Sequence, residues 1–296
     1  MSRLVHTGQV VVDLVLRVPE LPRRGGDVLA SAMDLTPGGG FNVMAAAARS
    51  GADVVYAGAH GTGRFGDAVR AALAAEGIAA AQVPMSGVDT GVCVVLVDSG
   101  GERTFVTGTG AEGMLAPGRL DDVTVAADDL VYVSGYSLAH ATNRAALAAW
   151  LPSVPGRVLL DPGPLAADLP LDVVLPHVDI LSCNAAEARV LTGNDSPAEA
   201  ARALGGTVIV RDGPAGCLLA VDGEVRVIPG FPVDPVDTNG AGDAHCGVLA
   251  AELLAGADLH TAARRANAAA AMAVRRRGPA TAPRRSEIDE FLAAQR

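Results

Sequence analysis

The sequence predicts an α/β protein: a doubly wound, mostly parallel central sheet flanked by helices, with a small β-sheet lid beside it. Three observations carry this. From about residue 130 to 274, short apolar runs of strand length alternate with stretches at helical spacing, the pattern of βα units. The 296 residues suit one large α/β domain and are enough to bury a sizeable core. A hairpin at 90–107 interrupts the alternation, and together with extended segments near 10–18 and 28–36 it calls for a second, smaller sheet. The expectation is therefore a single domain over 1–296, its lid built from those three segments.

The elements follow in order. Residues 4–18 hold the β-rich run Val10-Val11-Val12-Asp13-Leu14-Val15-Leu16. Its one charge, Asp13, stands among apolar neighbours; the strand alone places it on the open, solvent face, the alternative being a pocket. Pro19, Pro22 and Gly25-Gly26 break the chain before a second extended segment at 28–35. Pro37-Gly38-Gly39-Gly40-Phe41-Asn42 then leads into an Ala-rich helix at 43–49, ended by Gly51. Glycines permit close approach of the backbone to a ligand, and Asn42 can donate and accept at the helix start; a plain loop with an Asn cap would look the same.

A strand at 53–57 runs into Gly61, Gly63 and Gly66, which fit G-x-G-x-x-G ahead of a helix at 67–76. That fingerprint marks a dinucleotide site when it opens the first βαβ unit and an acid follows about 20 residues on. Here it lies in the second unit, and Asp89 precedes a hairpin, so we read it as a decoy. The hairpin pairs 92–97 with 102–106 around Asp98-Ser99-Gly100-Gly101. Strands at 130–134, 158–161, 180–183 and 207–210 alternate with helices at 142–150 and 185–191, and two further strands span 217–221 and 225–228. Asn184 and Glu187 start the second of those helices at a strand's carboxyl end, where open α/β sheets place ligands. They are hard oxygen donors suited to Mg²⁺ or its waters, and equally a capping pair. A long helix at 259–274 carries Asn267 among alanines.

Composition narrows the function. Half the residues are hydrophobic and few are aromatic, so the core is aliphatic. The net charge of −10, with no basic block beyond Arg275-Arg276-Arg277, argues against a nucleic-acid partner. All 23 basic residues are arginine. Without lysine there is no Walker A loop, no protein-kinase phosphate lysine and no Schiff base. Cys93, Cys183, Cys217 and Cys246 form no C-x-x-C and read as reduced and mostly buried. The histidines stand singly, against a structural zinc site. No apolar run approaches 18 residues and no signal-peptide pattern opens the chain, so no membrane role and a cytoplasmic location are expected.

The stretch 236–252 is where the sequence concentrates chemistry. Asp237-Thr238 leads through Asn239 to Gly240-Ala241-Gly242 and Asp243, and then to an apolar helix. Glycines ahead of a helix aim bare N–H groups at one spot, and the helix dipole favours an anion there. A carboxylate fixed beside an anion hole suggests a base next to a phosphate.

Together these clusters resemble the ribokinase-like (PfkB) family of carbohydrate and nucleoside kinases. Gly38-Gly39-Gly40-Phe41-Asn42 is similar to the family's first signature in a shorter form, and residues 237–243 to its second. Asn184 and Glu187 match its N-x-x-E, Gly213 and Gly216 its nucleotide loop, and Asn267 with Gly278 its C-terminal helix and turn. The resemblance implies a ribokinase-like fold and an ATP- and Mg²⁺-dependent kinase acting on a hydroxyl of a small sugar. It implies Asp243 as the catalytic base and Gly240, Ala241 and Gly242 as the anion hole. Asp13, Gly38, Gly39, Gly40 and Asn42 would hold the acceptor. Asn184, Arg211, Gly213, Gly216 and Asn267 would line the ATP site, with Glu187 organising Mg²⁺ through water and Asp237 facing a monovalent cation such as K⁺. Thr62-Gly63-Arg64 replaces an acid common in the family, ribokinases proper carry a lysine in the first signature, and Arg211 stands where relatives often have Thr; the first two weigh against ribose. A nucleoside kinase is the alternative, since Phe41, Val94 or Phe105 could stack a base, and a non-catalytic sugar- or nucleotide-binding regulator is the distant one. Exposed lid strands suggest a homodimer.

Overall fold

The computed structural model describes residues 2–295. Strand β1 (Arg3–His6) opens the larger sheet; the chain then departs for β2 (Val10–Arg17) and β3 (Ala32–Gly39) and returns through α1 (Gly40–Arg49) to β4 (Asp53–Tyr56). Helix α2 (Arg64–Ala75) and the short β5 (Ala79–Ala80) follow, and β6 (Val92–Val97) and β7 (Arg103–Gly108) depart again. Next come β8 (Leu130–Ser134), α3 (Gly135–Ala139), α4 (Ala141–Trp150), β9 (Arg157–Asp161), β10 (Ile180–Asn184), α5 (Ala185–Thr192), α6 (Pro197–Leu204) and β11 (Thr207–Arg211). The hairpin β12 (Gly216–Val221) and β13 (Glu224–Pro229) precedes α7 (Ala241–Leu254), α8 (Leu259–Ala273) and α9 (Arg285–Ala293).

The larger sheet has the order β13-β12-β11-β10-β9-β8-β1-β4-β5, parallel from β11 to β5, with β12 and β13 added antiparallel at one edge. Successive strand residues face opposite sides: Leu130 and Tyr132 of β8 join a core with α1, α7 and α8, while Val131 and Val133 join one with α4, α5 and α6. Helices thus cover both faces, as the continuous apolar strands require. The smaller sheet has the order β3-β2-β6-β7 and takes its strands from the segments that did not fit a plain doubly wound sheet.

Four boundaries differ from the sequence reading; α2 starts at Arg64, three residues before the expected 67. The strand expected at 28–35 is β3, which starts later and continues through Thr36 and Pro37 into the glycines, because each of its eight residues pairs with one of β2, from Arg17↔Ala32 to Val10↔Gly39. Helix α1 therefore begins at Gly40. Strand β7 runs to Gly108. Three helices went unread; the short α3 follows β8 directly. In α6 the Ser196 side chain accepts from the Glu199 amide ahead of Pro197, a capping signal visible in the sequence. In α9 the Arg284 amide donates to Glu287.

What positions the site is the packing of α7. Its residues from Ala244 to Leu253 are all buried, so it is a core helix with no solvent stripe. A Cβ at Gly247 would come within 2.3 Å of the Val43 carbonyl oxygen, so only glycine lets α1 and α7 approach this closely. Farther along, buried Glu252 accepts from Arg285 at 2.8 Å and is ion-paired with Arg265 at 2.8 Å, tying α7 to α8 and α9. The first turns of α1 and α7 are thereby held side by side, facing the smaller sheet.

Candidate active site

Asp243 sits in the first turn of α7, and its Oδ2 accepts from Asn42 Nδ2 of α1 at 2.9 Å. Burial raises the Asp243 carboxyl to about 6; nearby Asp161 adds to the shift, and the Asn42 hydrogen bond and Arg211 oppose it. Asp13, on β2, is likewise raised to about 6, first by burial and then by the Asp243 charge. Two carboxylates that feel one another across a hollow titrate as a pair. Asp13 lies on the buried face of its strand, against the solvent face expected from the strand alone, because that face of β2 turns toward the core side of the smaller sheet. Gly38 packs against it so tightly that a Cβ there would meet Asp13 Oδ2 at 2.1 Å, and Gly39 and Gly40 carry the chain from the sheet directly into α1.

The loop before α7 has the geometry the glycines imply. Gly240 adopts the left-handed region at φ 75°, and a Cβ there would fall 2.0 Å from the Pro279 carbonyl oxygen, so both conformation and space demand glycine. Helix α7 begins at Ala241, so two of the three proposed cradle residues are already its first turn. The amides of Gly242 and Asp243 precede the first intrahelical bond, made by Ala244 N to Gly240 O at 2.8 Å, and find no acceptor among the described residues. They are free to bind an anion.

Beside this loop lies a cavity of about 460 Å³ that gathers all five residues read as nucleotide contacts: Asn184, Arg211, Gly213, Gly216 and Asn267. Ala241 and Gly242 of the α7 first turn belong to the same lining, so the free amides border this cavity. Asn184, Asp161 and Arg211 all end parallel strands at their carboxyl tips. Asn267 is 5% exposed and spends its amide on the carbonyls of Ile228 (3.0 Å) and Pro229 (3.2 Å), so it shapes the wall of the cavity.

Arg211 is the buried cation of the site. Its Nη1 donates to Asp161 Oδ2 at 3.0 Å, Ser182 Oγ at 3.0 Å and Cys246 Sγ at 2.7 Å, and its Nη2 lies 3.6 Å from Glu187. Burial works against its charge, but Asp161 and the other partners more than restore it, so the guanidinium stays charged beneath the anion loop. Asn184 and Glu187 form a capping box: each side chain accepts from the other's amide at 2.8 Å. Asn184 Nδ2 also donates to Glu187 Oε1 at 2.6 Å, so both Glu187 oxygens already have partners within the box. Burial first and Asp161 second raise the Glu187 carboxyl. Among the described residues no three acidic, histidine or cysteine side chains form a metal cage. Asn184, in the cavity lining, and the Glu187 and Asp161 carboxylates around Arg211 are hard oxygen donors that fit Mg²⁺ arriving with a nucleotide and keeping its waters, the usual mode for this ion.

Asp237 is placed differently from the expectation of a free cation ligand. Its Oδ1 takes the Arg103 guanidinium and the Asn239 amide (2.9 Å), and its Oδ2 takes the Gly278 amide at 3.1 Å. Both oxygens are committed. Arg103 and Asp161 are the two site residues that the sequence reading missed. An acid as the last residue of a parallel strand was a usable signal for Asp161; nothing local marked Arg103, which reaches the loop only because β7 folds over it. The G-x-G-x-x-G stretch carries no ligand site: Asp89 accepts from the amides of Phe65 and Gly66 at 3.2 and 2.7 Å and so fills that helix N-terminus itself.

Comparison with known proteins agrees with this fold. The model of the pfkB family of carbohydrate kinases matches residues 1–285. The uncharacterized sugar kinase YegV of Escherichia coli is 32% identical over 295 residues, covering 95% of this chain and 91% of that protein. The ribokinase of Haemophilus influenzae is 30% identical and covers 98% of both. Among solved structures, a ribokinase II from E. coli in complex with ATP and Mg²⁺ superposes with a TM-score of 0.84 at 25% identity, over 99% of this chain and 100% of that one.

Proposed function

The chain belongs to the PfkB family of carbohydrate kinases, and on that premise we propose how its residues divide the work of moving the γ-phosphoryl group of ATP to a sugar hydroxyl. The observation that carries the proposal is the α7 first turn, where three features meet: the raised carboxyl of Asp243, the free amides of Gly242 and Asp243, and the Ala241–Gly242 wall of the 460 Å³ cavity. ATP lies in that cavity between Gly213, Gly216 and Asn267, its γ-phosphoryl group at the α7 amides. The acceptor lies between α1 and β2, held by Asp13 and Asn42 and by the backbone of Gly38, Gly39 and Gly40. Asp243 takes the proton of the attacking hydroxyl as its oxygen bonds to phosphorus, and the bond from phosphorus to the ADP oxygen breaks. Charge on the transferred group is met by the free amides of Gly242 and Asp243, which act as fixed dipoles; of the expected cradle, Gly240 supplies the turn and the Ala241 amide faces Thr238 O at 3.4 Å. Arg211 below them adds positive charge, the part lysine takes elsewhere. Glu187 and Asn184 would hold Mg²⁺ through its waters when it arrives with ATP, and the ion would supply neutralisation of phosphate charge.

The smaller sheet serves as the lid of a single domain over 1–296, closing the acceptor hollow and keeping water from the phosphoryl group. Its outer face carries Leu14, Leu16, Met33, Leu35 and Val106, with Met33 69% and Val106 62% exposed, and this apolar face pairs two chains into a dimer. The monovalent-cation role does not fall to Asp237 as first read: the Arg103 guanidinium stands at that carboxylate, and turnover is independent of K⁺. No helix among the described residues is long and apolar enough to cross a membrane; with ATP as co-substrate, the cytoplasm is the setting we infer. A coupled ADP-release assay over neutral sugars, charged sugars and nucleosides tests the proposal. Acceptor-dependent ADP release supports it, and ATP turnover indifferent to every acceptor refutes it.

A further inference from the structure

Beyond Asp13 the inner face of the lid changes character row by row. Asp13, Cys93 and Thr107 are paired across β2, β6 and β7, with Thr36 of β3 beside Asp13. Two residues outward the row is Val15 and Val95, flanked by Asp34. Two further outward it is Arg17, Val97 and Arg103. A polar row lies over the base, an apolar row follows, and a cationic row comes last.

The outer two rows line a second cavity of about 210 Å³, closed from the core side by Asp237, Asn239 and the turn Arg277-Gly278-Pro279. Three arginines, Arg17, Arg103 and Arg277, therefore converge on one hollow from two strands and a loop. Arg103 is neutralised by Asp237. Arg17 and Arg277 have no ion-pair or side-chain hydrogen-bond partner among the described residues, and Asp34, in the same cavity, lies beyond ion-pair distance of all three. In a chain of net charge −10, an excess of guanidinium groups at the mouth of a binding cleft stands out. A neutral sugar offers them hydroxyl oxygens but no charge to offset theirs. Guanidinium is the side chain suited to bidentate recognition of carboxylate or phosphate.

We propose that this cavity is a subsite for an anionic group on the acceptor, so that the physiological acceptor is a sugar carrying a carboxylate or phosphate at the end remote from the hydroxyl that is phosphorylated. The inference rests on the acceptor site proposed above and narrows its substrate class. The dimensions agree. Asp13 and Arg17 are four residues apart on β2, about 13 Å at strand rise. An arginine side chain reaches back over part of that span, and a five- or six-carbon sugar with its terminal group covers the rest. Asp34, in the middle row, accepts from an intervening hydroxyl, and the unpaired guanidinium groups of Arg17 and Arg277 close on the anion.

The test measures kcat/KM with MgATP for neutral sugars (ribose, fructose), phosphorylated sugars (ribose 1-phosphate, fructose 6-phosphate) and a sugar acid (gluconate). At least one charged acceptor is expected to exceed every neutral sugar by about 10²-fold, and which charged class leads identifies the anion. The variants Arg17→Gln and Arg277→Gln each reduce that preference about tenfold or more by raising KM. In the parent enzyme the KM of the favoured acceptor rises with added salt, and inorganic phosphate competes with the acceptor. Neutral sugars used as well as charged ones, or a preference untouched by both variants, would overturn the subsite while leaving the kinase reading intact. Thermal shift by the same compounds, with a non-hydrolysable ATP analogue bound, reads the subsite without turnover. Stabilisation by charged acceptors alone supports it even if phosphoryl transfer is absent, an outcome that would instead defeat the kinase reading.

Discussion

Replacing Asp243 by Asn should slow the enzyme and stabilise the fold at the same time. Burial raises this carboxyl from 3.8 to about 6 in the folded chain. Between those two values the folded state keeps a proton that the unfolded state has lost. Stability therefore falls as pH rises through that interval, by about 1.4 kcal/mol per unit, and stays reduced above it. The full interval corresponds to about 3 kcal/mol; allowing for partial exposure and for the coupled charge of Asp13, about 1–3 kcal/mol is the expected gain for Asp243→Asn above pH 7. Asparagine keeps an oxygen to accept the Asn42 hydrogen bond. For a chain of this length the unfolding entropy is about 0.6 kcal/mol per degree, so Tm should rise by about 2–5 °C at pH 8 and converge with the parent near pH 4. Turnover should fall by at least about 10²-fold, with the KM for ATP little changed. Thermal denaturation across pH 4–8 beside the coupled assay reads both effects. A Tm difference that is absent at pH 8 or identical at both pH limits would refute the electrostatic reasoning, and near-normal turnover would refute the base.

Four other expectations follow from the same geometry. In the parent enzyme kcat/KM should climb with pH through about 6 and level off above 7, because the Asp243 carboxylate must be unprotonated to act; a profile flat down to pH 5 would contradict this. Gly240→Ala should cost about 1–3 kcal/mol of stability and at least about tenfold in turnover, since a left-handed φ and a 2.0 Å clash with Pro279 both oppose a side chain, measured by denaturant melts and initial rates. Rates in sodium, potassium and tetramethylammonium buffers should agree within about twofold, whereas Arg103→Ala should lower turnover and leave an enzyme that responds to K⁺; potassium activation of the parent would show that the guanidinium does not serve that purpose. Met33→Glu, on the apolar outer face of the lid, should shift sedimentation from dimer to monomer by burying a charge in the interface, and a parent that sediments as a monomer would dispose of the dimer.

The parts legible in the sequence were those set by local chemistry. Glycines ahead of a helix, an acid in its first turn and an Asn-x-x-Glu box fix backbone geometry within a few residues, and so residues 184, 187 and 240–243 could be read before any fold was known. The alternation of apolar strands and helices gave the doubly wound sheet for the same reason. Register was less visible: β3 runs into the glycines because its partner β2 is eight residues long, which neither segment states alone. Contacts between distant segments were invisible. Arg103 meets Asp237 across 134 positions and Arg211 meets Asp161 across 50, and both pairs exist only because the sheets bring their ends together. Asn267 was legible as a buried polar group but not as one whose donors are spent on β13.

The most direct test of the account follows a single phosphorus atom. With γ-³²P-labelled ATP, Mg²⁺ and the best acceptor of the panel, label should move to an ester of the acceptor, one ester per ADP formed, and the Asp243→Asn protein should form that ester at least about 10²-fold more slowly. Label appearing only as inorganic phosphate, at a rate the acceptor does not change, would contradict a kinase site at the tip of α7.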